Sequence, residues 1–258
     1  MAPIITLTTD FGTQDGFVAQ MKGVILQINQ SVLLVDVTHD IPPFSVMEGA
    51  LVIRGLSRYF SPGTIHIGVV DPGVGSHRRG IVLCAGKQFY VGPDNGLFSW
   101  LPGQKNSWEI REIQNPEFVS PNPHPTFHGR DVFAPVAAHL STSRCFSEVG
   151  PVVNDPVTLS IPEARKTDAG IEGQVIHIDR FGNLCCNIEA RMLTTPVHTV
   201  KAGNSAIKGI SSFFGQVPKG EPLALINSFG LMEIAVNCGD ASRVLGITIG
   251  DRVSVWWA

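Results

Sequence analysis

The first 70 residues alternate between strand-like and helix-like patterns, and this alternation restricts the possible folds more than any other feature. Residues 4–8, 32–37 and 64–70 are apolar runs typical of strands buried on both faces of a sheet. Between them, residues 17–28 carry apolar side chains at helical spacing, and a capping-box pattern at 45–48 opens a second predicted helix. This order predicts βαβ units around a parallel sheet.

Polar residues follow each of the three predicted strands. Asp10, His39 and Asp71 stand at or just beyond the carboxyl ends of these strands. In open parallel sheets, ligands bind beyond the carboxyl ends of the strands. We therefore expect these three side chains at one edge of the sheet, near a ligand site.

The pattern changes after about residue 165. From Gly170 onward, short β-rich runs are separated by Gly, Asn and Pro, with little helical periodicity. Even spacing of this kind predicts a small β-barrel or sandwich. We expect a Rossmann-like α/β domain with a mainly parallel sheet over residues 1–165, and a small β-barrel domain over residues 166–258.

Composition and charge exclude several classes of function. The net charge of −3, without a stripe of Lys and Arg, argues against binding of nucleic acid. The chain has no apolar run long enough for a membrane span, and its first residues lack a signal-peptide pattern. Five cysteines without CxxC pairing favour a reducing compartment, so we expect a cytoplasmic protein. The low charged fraction of 16% favours burial of some surface against partner subunits.

Two separated segments carry side chains suited to the activation of water. Residues 70–78 place Asp71 and Arg78 in one glycine-rich loop, and residues 127–131 place His128 beside a glycine. A permanent positive charge favours the hydroxide form of a nearby water, and an imidazole can accept its proton near neutral pH. Asp71 is expected to orient Arg78 or His128. The sequence therefore indicates an enzyme that uses water as a reactant.

Seven short motifs occur in order along nearly the whole chain. They are TDFG at 9–12, VDVTH at 35–39, VDPGVG at 70–75, GPDNG at 92–96, FHGRD at 127–131, IDRFGN at 178–183 and NS at 227–228. Each motif alone is weak, but the ordered set resembles the S-adenosylmethionine hydroxide adenosyltransferases. These enzymes are relatives of the fluorinating and chlorinating nucleosidases.

The resemblance implies a fold, an assembly and a reaction. It implies an N-terminal α/β domain and a C-terminal β-barrel, in a homotrimer whose active site lies between domains of neighbouring subunits. The reaction is attack of water or hydroxide on the ribose C5′ of S-adenosyl-L-methionine, which releases adenosine and L-methionine. The catalytic positions correspond to Asp71, Arg78 and His128, and we expect neither a metal nor a cofactor.

The resemblance also implies substrate contacts. Asp10 is expected to accept hydrogen bonds from the ribose hydroxyls, Asp179 to meet the methionine ammonium, and Ser228 to contact the methionine carboxylate. The adenine contacts are expected from five further residues, with the two phenylalanines as stacking surfaces: Asn183, Phe44, Phe213, Asn237 and the backbone at Cys238.

Three departures from the halogenating relatives leave points open. Phe229 stands where those enzymes have an arginine for the methionine carboxylate. The loop at Asp179 is one residue shorter than the corresponding loop of those enzymes. Arg78 and Arg79 are adjacent, so a shift of one residue would exchange the catalytic and bystander roles.

Three other functions remain open from the sequence. A metal-dependent hydrolase would draw its ligands from Asp10, Asp36, His39, Asp71, His128 and Asp131, although no HxH, HExxH or HxxxD pair occurs. A sensor that binds S-adenosylmethionine or a nucleoside would use the same pocket without turnover. Halogenation at C5′ is the third, although the halogenating relatives carry other residue types at the three catalytic positions, which favours water over halide.

Overall fold

The computed structural model describes residues 2–56, 58–101, 108–142 and 144–257. The chain divides into two compact units, residues 1–160 and 161–258. The sequence pattern predicts the boundary between the two domains after residue 165. The structure has it earlier because residues 165–167 already form a strand that pairs within the second unit.

The first unit is built on a six-stranded mixed sheet. Its strands are β1 Ile4–Thr9, β2 Leu33–Thr38, β3 Ile65–Val69, β4 Gly80–Ala85, β5 Gln88–Pro93 and β6 Glu109–Glu112, in the order β2-β1-β3-β5-β4-β6. The pairs β1–β2, β1–β3 and β3–β5 are parallel, whereas β4 runs antiparallel to β5 and β6. The expected parallel arrangement thus holds for the first strands, and the hairpin β4–β5 makes the sheet mixed.

Helices cover both faces of this sheet. They are α1 Phe17–Ile28, α2 Val46–Leu56 and α3 Ala134–Leu140, the last preceded directly by a π-helix at Gly129–Phe133. Along β4, Val82 packs in the core beneath α1 and α3, whereas Ile81 and Leu83 pack in the core beneath α2. Burial on both faces explains why β1, β3 and β4 are continuous apolar runs in the sequence. The same expectation is wrong for β2, which lies at the edge of the sheet and is largely exposed, with Leu33 56% exposed.

The second unit is an antiparallel sheet that is nearly closed into a barrel. Its strands are β7 Arg165–Thr167, β8 Gly170–Ile178, β9 Leu184–Glu189, β10 Val197–Ala202, β11 Ser205–Lys208, β12 Pro222–Ile226, β13 Leu231–Val236 and β14 Arg252–Trp257. The order is β11-β10-β14-β8-β9-β13-β12, and the two end strands β11 and β12 contact each other. The long strand β8 pairs with β14 along its first half and with β9 along its second half. A short helix, α4 Ala241–Leu245, is capped by the side chain of Asp240.

Candidate active site

The loop after β3 contains a buried ion pair between Asp71 and Arg78. Nε of Arg78 donates to Oδ1 of Asp71 at 3.0 Å, and Nη2 donates to Oδ2 at 2.5 Å. The two side chains are only 4% and 10% exposed. A bidentate contact fixes the plane of the guanidinium as well as its position, which a lysine could not achieve.

The same guanidinium contacts His128. Nη2 of Arg78 lies 2.8 Å from Nδ1 of His128. Because arginine can only donate, Nδ1 must accept, so the imidazole is neutral and carries its proton on Nε2. One arginine therefore joins Asp71 and His128 into a three-residue cluster, the group that the sequence predicts. Arg79 does not take part, because its side chain binds Asp94 and Asp155.

The environment keeps His128 uncharged. Burial lowers the pKa of His128 below its ordinary value, and the charge of Arg78 lowers it further. The carboxylates of Asp71 and Asp131 oppose this shift. The net direction is downward, so a neutral imidazole is present throughout the neutral pH range.

Gly75 and Asn95 hold the Asp71 loop in place. Gly75 has φ of +76°, and a Cβ there would lie 2.4 Å from the carbonyl oxygen of Pro125, in the segment that leads to His128. Gly75 therefore permits the close approach of this segment to the loop. Asn95, in the turn after β5, donates to the carbonyl oxygen of Val70 at 2.8 Å and so holds the end of β3.

His128 stands directly before the π-helix Gly129–Phe133. From the sequence alone, a polar residue before the apolar run that ends at Leu140 predicts that Asp131 caps a helix. This prediction is wrong, because Asp131 lies inside the π-helix. Its carboxylate instead accepts from the side chain of Arg130 and from the backbone N–H of His124. Asp131 thus links the π-helix to the segment before His128, residues 121–125, in which every second residue is a proline. π-helical turns are rare and occur often at functional sites.

Asp10 and Phe44 are brought together at the same sheet edge. The strand register pairs Thr9 of β1 with Val69 of β3, so Asp10 and Asp71 follow neighbouring strands. Oδ2 of Asp10 accepts from the backbone N–H of Phe44 at 2.9 Å. This hydrogen bond leaves Oδ1 of Asp10 for a ligand. Phe44 has φ of +68° and a side chain that is 71% exposed.

His39 has a structural role at this edge. Its Nδ1 pairs with Oγ1 of Thr9 at 2.8 Å, and its Nε2 pairs with Oδ1 of Asp36 at 3.0 Å. The carbonyl oxygen of His39 accepts from the N–H of Gly12. With both ring nitrogens engaged, His39 supports the turn at Asp10. Across the described residues, no three His, Cys, Asp or Glu side chains converge in a way that could hold a metal ion.

The second unit contains a cavity of about 830 Å³. Four exposed phenylalanines contribute to its wall: Phe181, Phe213, Phe214 and Phe229. Five of the predicted substrate-binding residues line it: Asp179, Asn183, Phe213, Ser228 and Cys238. An aromatic wall with a few polar groups is typical of a site for a small ligand with a flat ring system.

Asp179 organises the turn that presents Asn183. Its Oδ1 accepts from the N–H groups of Phe181 and Asn183, and its Oδ2 accepts from Nδ2 of Asn183 at 2.9 Å. The amide of Asn183 is therefore oriented by Asp179, which leaves Oδ1 of Asn183 as an acceptor. Gly182 is also required here, because a Cβ would lie 2.1 Å from a carboxylate oxygen of Asp240.

Of the substrate contacts predicted in the second unit, Asn237 is the one that is not at the cavity, and the cavity also contains a charged residue that was not predicted. Asn237 does not line the cavity, and its Nδ2 donates to the carbonyl oxygen of Val217 at 2.7 Å. Glu233 lines the cavity, although nothing in the sequence alone singled it out. The available signal was a lone charge within the apolar run of β13, residues 231–236.

Comparison with family models gives two matches that together span most of the chain. Residues 5–150 match the model described as the SAM hydroxide adenosyltransferase N-terminal domain. Residues 173–254 match the model described as the C-terminal domain of the same family. The two matched ranges fall in the two structural units.

Individual proteins of high similarity cover nearly the full length. The (R)-S-adenosyl-L-methionine hydrolase of Salinispora tropica is 38% identical, over 98% of this chain and 97% of that protein. A fluorinase of Actinoplanes sp. is 29% identical, over 98% and 97% of the two chains. The crystal structure of an uncharacterized conserved protein from Thermotoga maritima is 36% identical, with a TM-score of 0.88 over 98% of this chain and 99% of that chain.

Gly75→Ala should impair activity, whereas Gly73→Ala should not. At position 75 an alanine would be strained at positive φ and would push the loop away from Pro125. At position 73 the nearest atom to an added Cβ is 3.5 Å away, an ordinary contact. A displacement near 1 Å at a reacting group can cost on the order of 100-fold in rate, so we expect a large loss in Gly75→Ala only. Equal activities in the two variants would contradict the proposed role of Gly75.

The pKa of His128 should lie below 6.5 and should rise when Arg78 is replaced. Arg78→Met removes the neighbouring positive charge, which at present disfavours the imidazolium. Nuclear magnetic resonance titration of carbon-13-labelled histidine gives the pKa directly, with His128→Gln identifying the signal. Arg79→Met is the control, because Arg79 binds other partners and should leave the titration unchanged. An unaltered pKa in Arg78→Met would show that the two side chains do not interact.

Proposed function

This chain belongs to the SAM hydroxide adenosyltransferase family, and we propose that it hydrolyses S-adenosyl-L-methionine to adenosine and L-methionine. The observation that carries the proposal is the position of Arg78, which is bound to Asp71 and is in contact with a neutral His128. This cluster supplies a fixed positive charge and a proton acceptor within hydrogen-bond distance of each other.

The substrate already contains an excellent leaving group. Methionine departs from the sulfonium as a neutral thioether, so no acid is needed to protonate it. The enzyme must instead hold a weak nucleophile in line with the C5′–S bond, and positioning alone can lower such a barrier by several kcal/mol. As the C5′–O bond forms and the C5′–S bond breaks, the positive charge passes from sulfur to the attacking oxygen. A proton must then leave that oxygen.

His128 is the base in this scheme. Asp71 is engaged by Arg78, a carboxylate is a weaker base than an imidazole, and Arg78 is permanently protonated, so the imidazole is the group of the cluster best suited to accept a proton. That lone pair, on Nδ1, faces Nη2 of Arg78 in the resting arrangement. We propose that the two side chains move apart to let the reacting water in between these two nitrogens, because the 2.8 Å that separates them in the resting arrangement leaves no room for it. It accepts a hydrogen bond from Arg78, which favours the hydroxide form, and it donates its proton to Nδ1.

We infer the substrate contacts from the polar atoms of the site that have no hydrogen-bond partner among the described contacts, and from one aromatic ring. Oδ1 of Asp10 suits a ribose hydroxyl, and Oδ1 of Asn183 suits the amino group of adenine. Phe213 offers a face for the adenine ring, and Ser228 a donor for the methionine carboxylate. The name of the Salinispora tropica relative specifies the (R) configuration, so both sulfonium epimers are appropriate test substrates.

We also propose the finer features that family membership suggests. The first is a Rossmann-like first domain, which the parallel pairing of β1, β2 and β3 supports. The second is a homotrimer in which the first domain of one subunit and the second domain of its neighbour together form an active site. We propose a cytoplasmic location and a reaction that needs neither a metal nor a cofactor. In the described part of the chain, no helix has the length and apolar character to cross a bilayer.

Purified protein in metal-free buffer should release equal amounts of adenosine and methionine from S-adenosyl-L-methionine, as measured by liquid chromatography. Arg78→Ala and His128→Ala should each lower kcat by on the order of 100-fold or more, the range for loss of a general base or of electrostatic help. Arg79→Ala is the matched control, because its partners Asp94 and Asp155 lie outside the cluster.

Three results would contradict the proposal. Recovery of intact, bound S-adenosyl-L-methionine from the wild type would indicate a sensor rather than an enzyme. Loss of turnover on treatment with EDTA, restored by a divalent cation, would indicate a metal-dependent hydrolase. Wild-type kcat in either Arg78→Ala or His128→Ala would refute the assignment of the cluster.

A further inference from the structure

The cavity of the second unit is acidic. Among the described residues that line it are two carboxylates, Asp179 and Glu233, and no Lys, Arg or His side chain. Phe229 occupies the position at which the halogenating relatives are expected to carry an arginine, so no guanidinium offsets these charges from that position. A cavity with two negative groups favours a ligand that carries net positive charge.

Glu233 is the less expected of the two carboxylates. It lies in the middle of β13, a strand whose other residues are apolar, and the residue is only 7% exposed. Burial raises the pKa of Glu233, and the charge of Asp179 adds to the rise, against the hydrogen bond from Asn227 and the influence of His177. A carboxylate at such a position destabilises the empty protein unless it gains a partner.

The hydrogen bonds differ between the two carboxylates. Asp179 accepts three donors from its own turn, which leaves it little capacity for a ligand. Among the described contacts, Glu233 accepts one, from Nδ2 of Asn227 to Oε2 at 3.2 Å. A carboxylate offers about four acceptor positions, so Glu233 retains most of its capacity, and it lines the cavity. Asn227 and the strand neighbours hold the side chain without neutralising it.

We propose that Glu233 is a specificity-determining residue that binds the ammonium group of the substrate's methionine portion. This inference rests on the proposed function and extends it, because the family resemblance assigned the ammonium to Asp179 alone. In this arrangement Asp179 mainly shapes the turn that presents Asn183, and its charge adds to the acidic field. Glu233 supplies the direct, charge-assisted hydrogen bond.

The proposal explains how the cavity distinguishes the substrate from the nucleoside product, adenosine. S-adenosyl-L-methionine carries a sulfonium, an ammonium and a carboxylate, which leave one net positive charge. Adenosine is neutral, and S-adenosyl-L-homocysteine, the thioether counterpart, has no net charge. An acidic cavity therefore favours the sulfonium ligand over both. Since adenosine lacks an ammonium group, its binding should not depend on Glu233 at all.

The test replaces Glu233 with glutamine. Glu233→Gln keeps the size of the side chain and an oxygen that accepts from Asn227, so the barrel should fold normally. Hydrogen bonds to charged groups are worth about 1.5–3 kcal/mol, so KM for S-adenosyl-L-methionine should rise by on the order of 10- to 100-fold. The inhibition constant of adenosine should stay within about twofold of the wild-type value, because no hydrogen bond to it is lost. Glu233→Asp should retain part of the affinity for the substrate.

Glu221→Gln is the matched control. Glu221 stands next to β12, is exposed, and does not line the cavity, so its substitution removes the same charge from the same unit. It should leave both KM and the adenosine inhibition constant unchanged. Such a control separates a specific contact from a general change in the charge of the protein.

The possible outcomes separate this inference from the proposed function. An unchanged KM in Glu233→Gln, or an equal rise in KM and in the adenosine inhibition constant, would overturn the role of Glu233 while hydrolysis by the wild type stands. A fall in kcat alone would also overturn it, because the ammonium lies away from the reacting bond. Failure of the wild type to bind or hydrolyse S-adenosyl-L-methionine would overturn both.

Discussion

The buried guanidinium of Arg78 is the interaction on which the first unit's site depends. A charge that is nearly removed from water is tolerable only when its donors are satisfied, and Asp71 satisfies it with two hydrogen bonds. The ion pair therefore fixes both ends of the loop after β3. Because the same Nη2 also contacts His128, the loop determines where the imidazole lies and which of its nitrogens carries the proton.

Much of the surrounding structure serves to keep this pair in place. Asn95 binds the carbonyl oxygen at the end of β3, and Gly75 lets the loop lie against Pro125. Asp131 joins the π-helix to the segment that carries His128. None of these residues needs to contact a substrate. They act by fixing the backbone that carries Arg78 and His128, so that a small separation of the two side chains is enough to admit a single water.

The sequence predicted the elements that follow from a local pattern of residues. It missed the features that depend on the surrounding structure. Apolar runs and strand-end polar residues located β1, β2, β3, Asp10 and Asp71, because a continuous apolar run is a clear local pattern. The pattern alone did not show that β2 lies at the exposed edge of the sheet rather than buried on both faces. Periodicity could not distinguish the π-helix at Gly129–Phe133 from an ordinary helix, and so Asp131 was misassigned as a cap. Glu233 was missed because one charge within an apolar strand gains meaning only from the cavity that β13 borders.

Attack of water on the ribose carbon is the central step of the proposed reaction, and isotopic labelling tests it most directly. S-adenosyl-L-methionine would be hydrolysed in water enriched in oxygen-18, and both products would be analysed by mass spectrometry. We predict that adenosine gains the heavy oxygen at its 5′ position, while methionine remains unlabelled. Label in an amino-acid product would mean that a carbon of the methionine portion is attacked instead, and adenosine without label would mean that its 5′ oxygen does not come from water. Either result would contradict the proposed roles of Arg78 and His128.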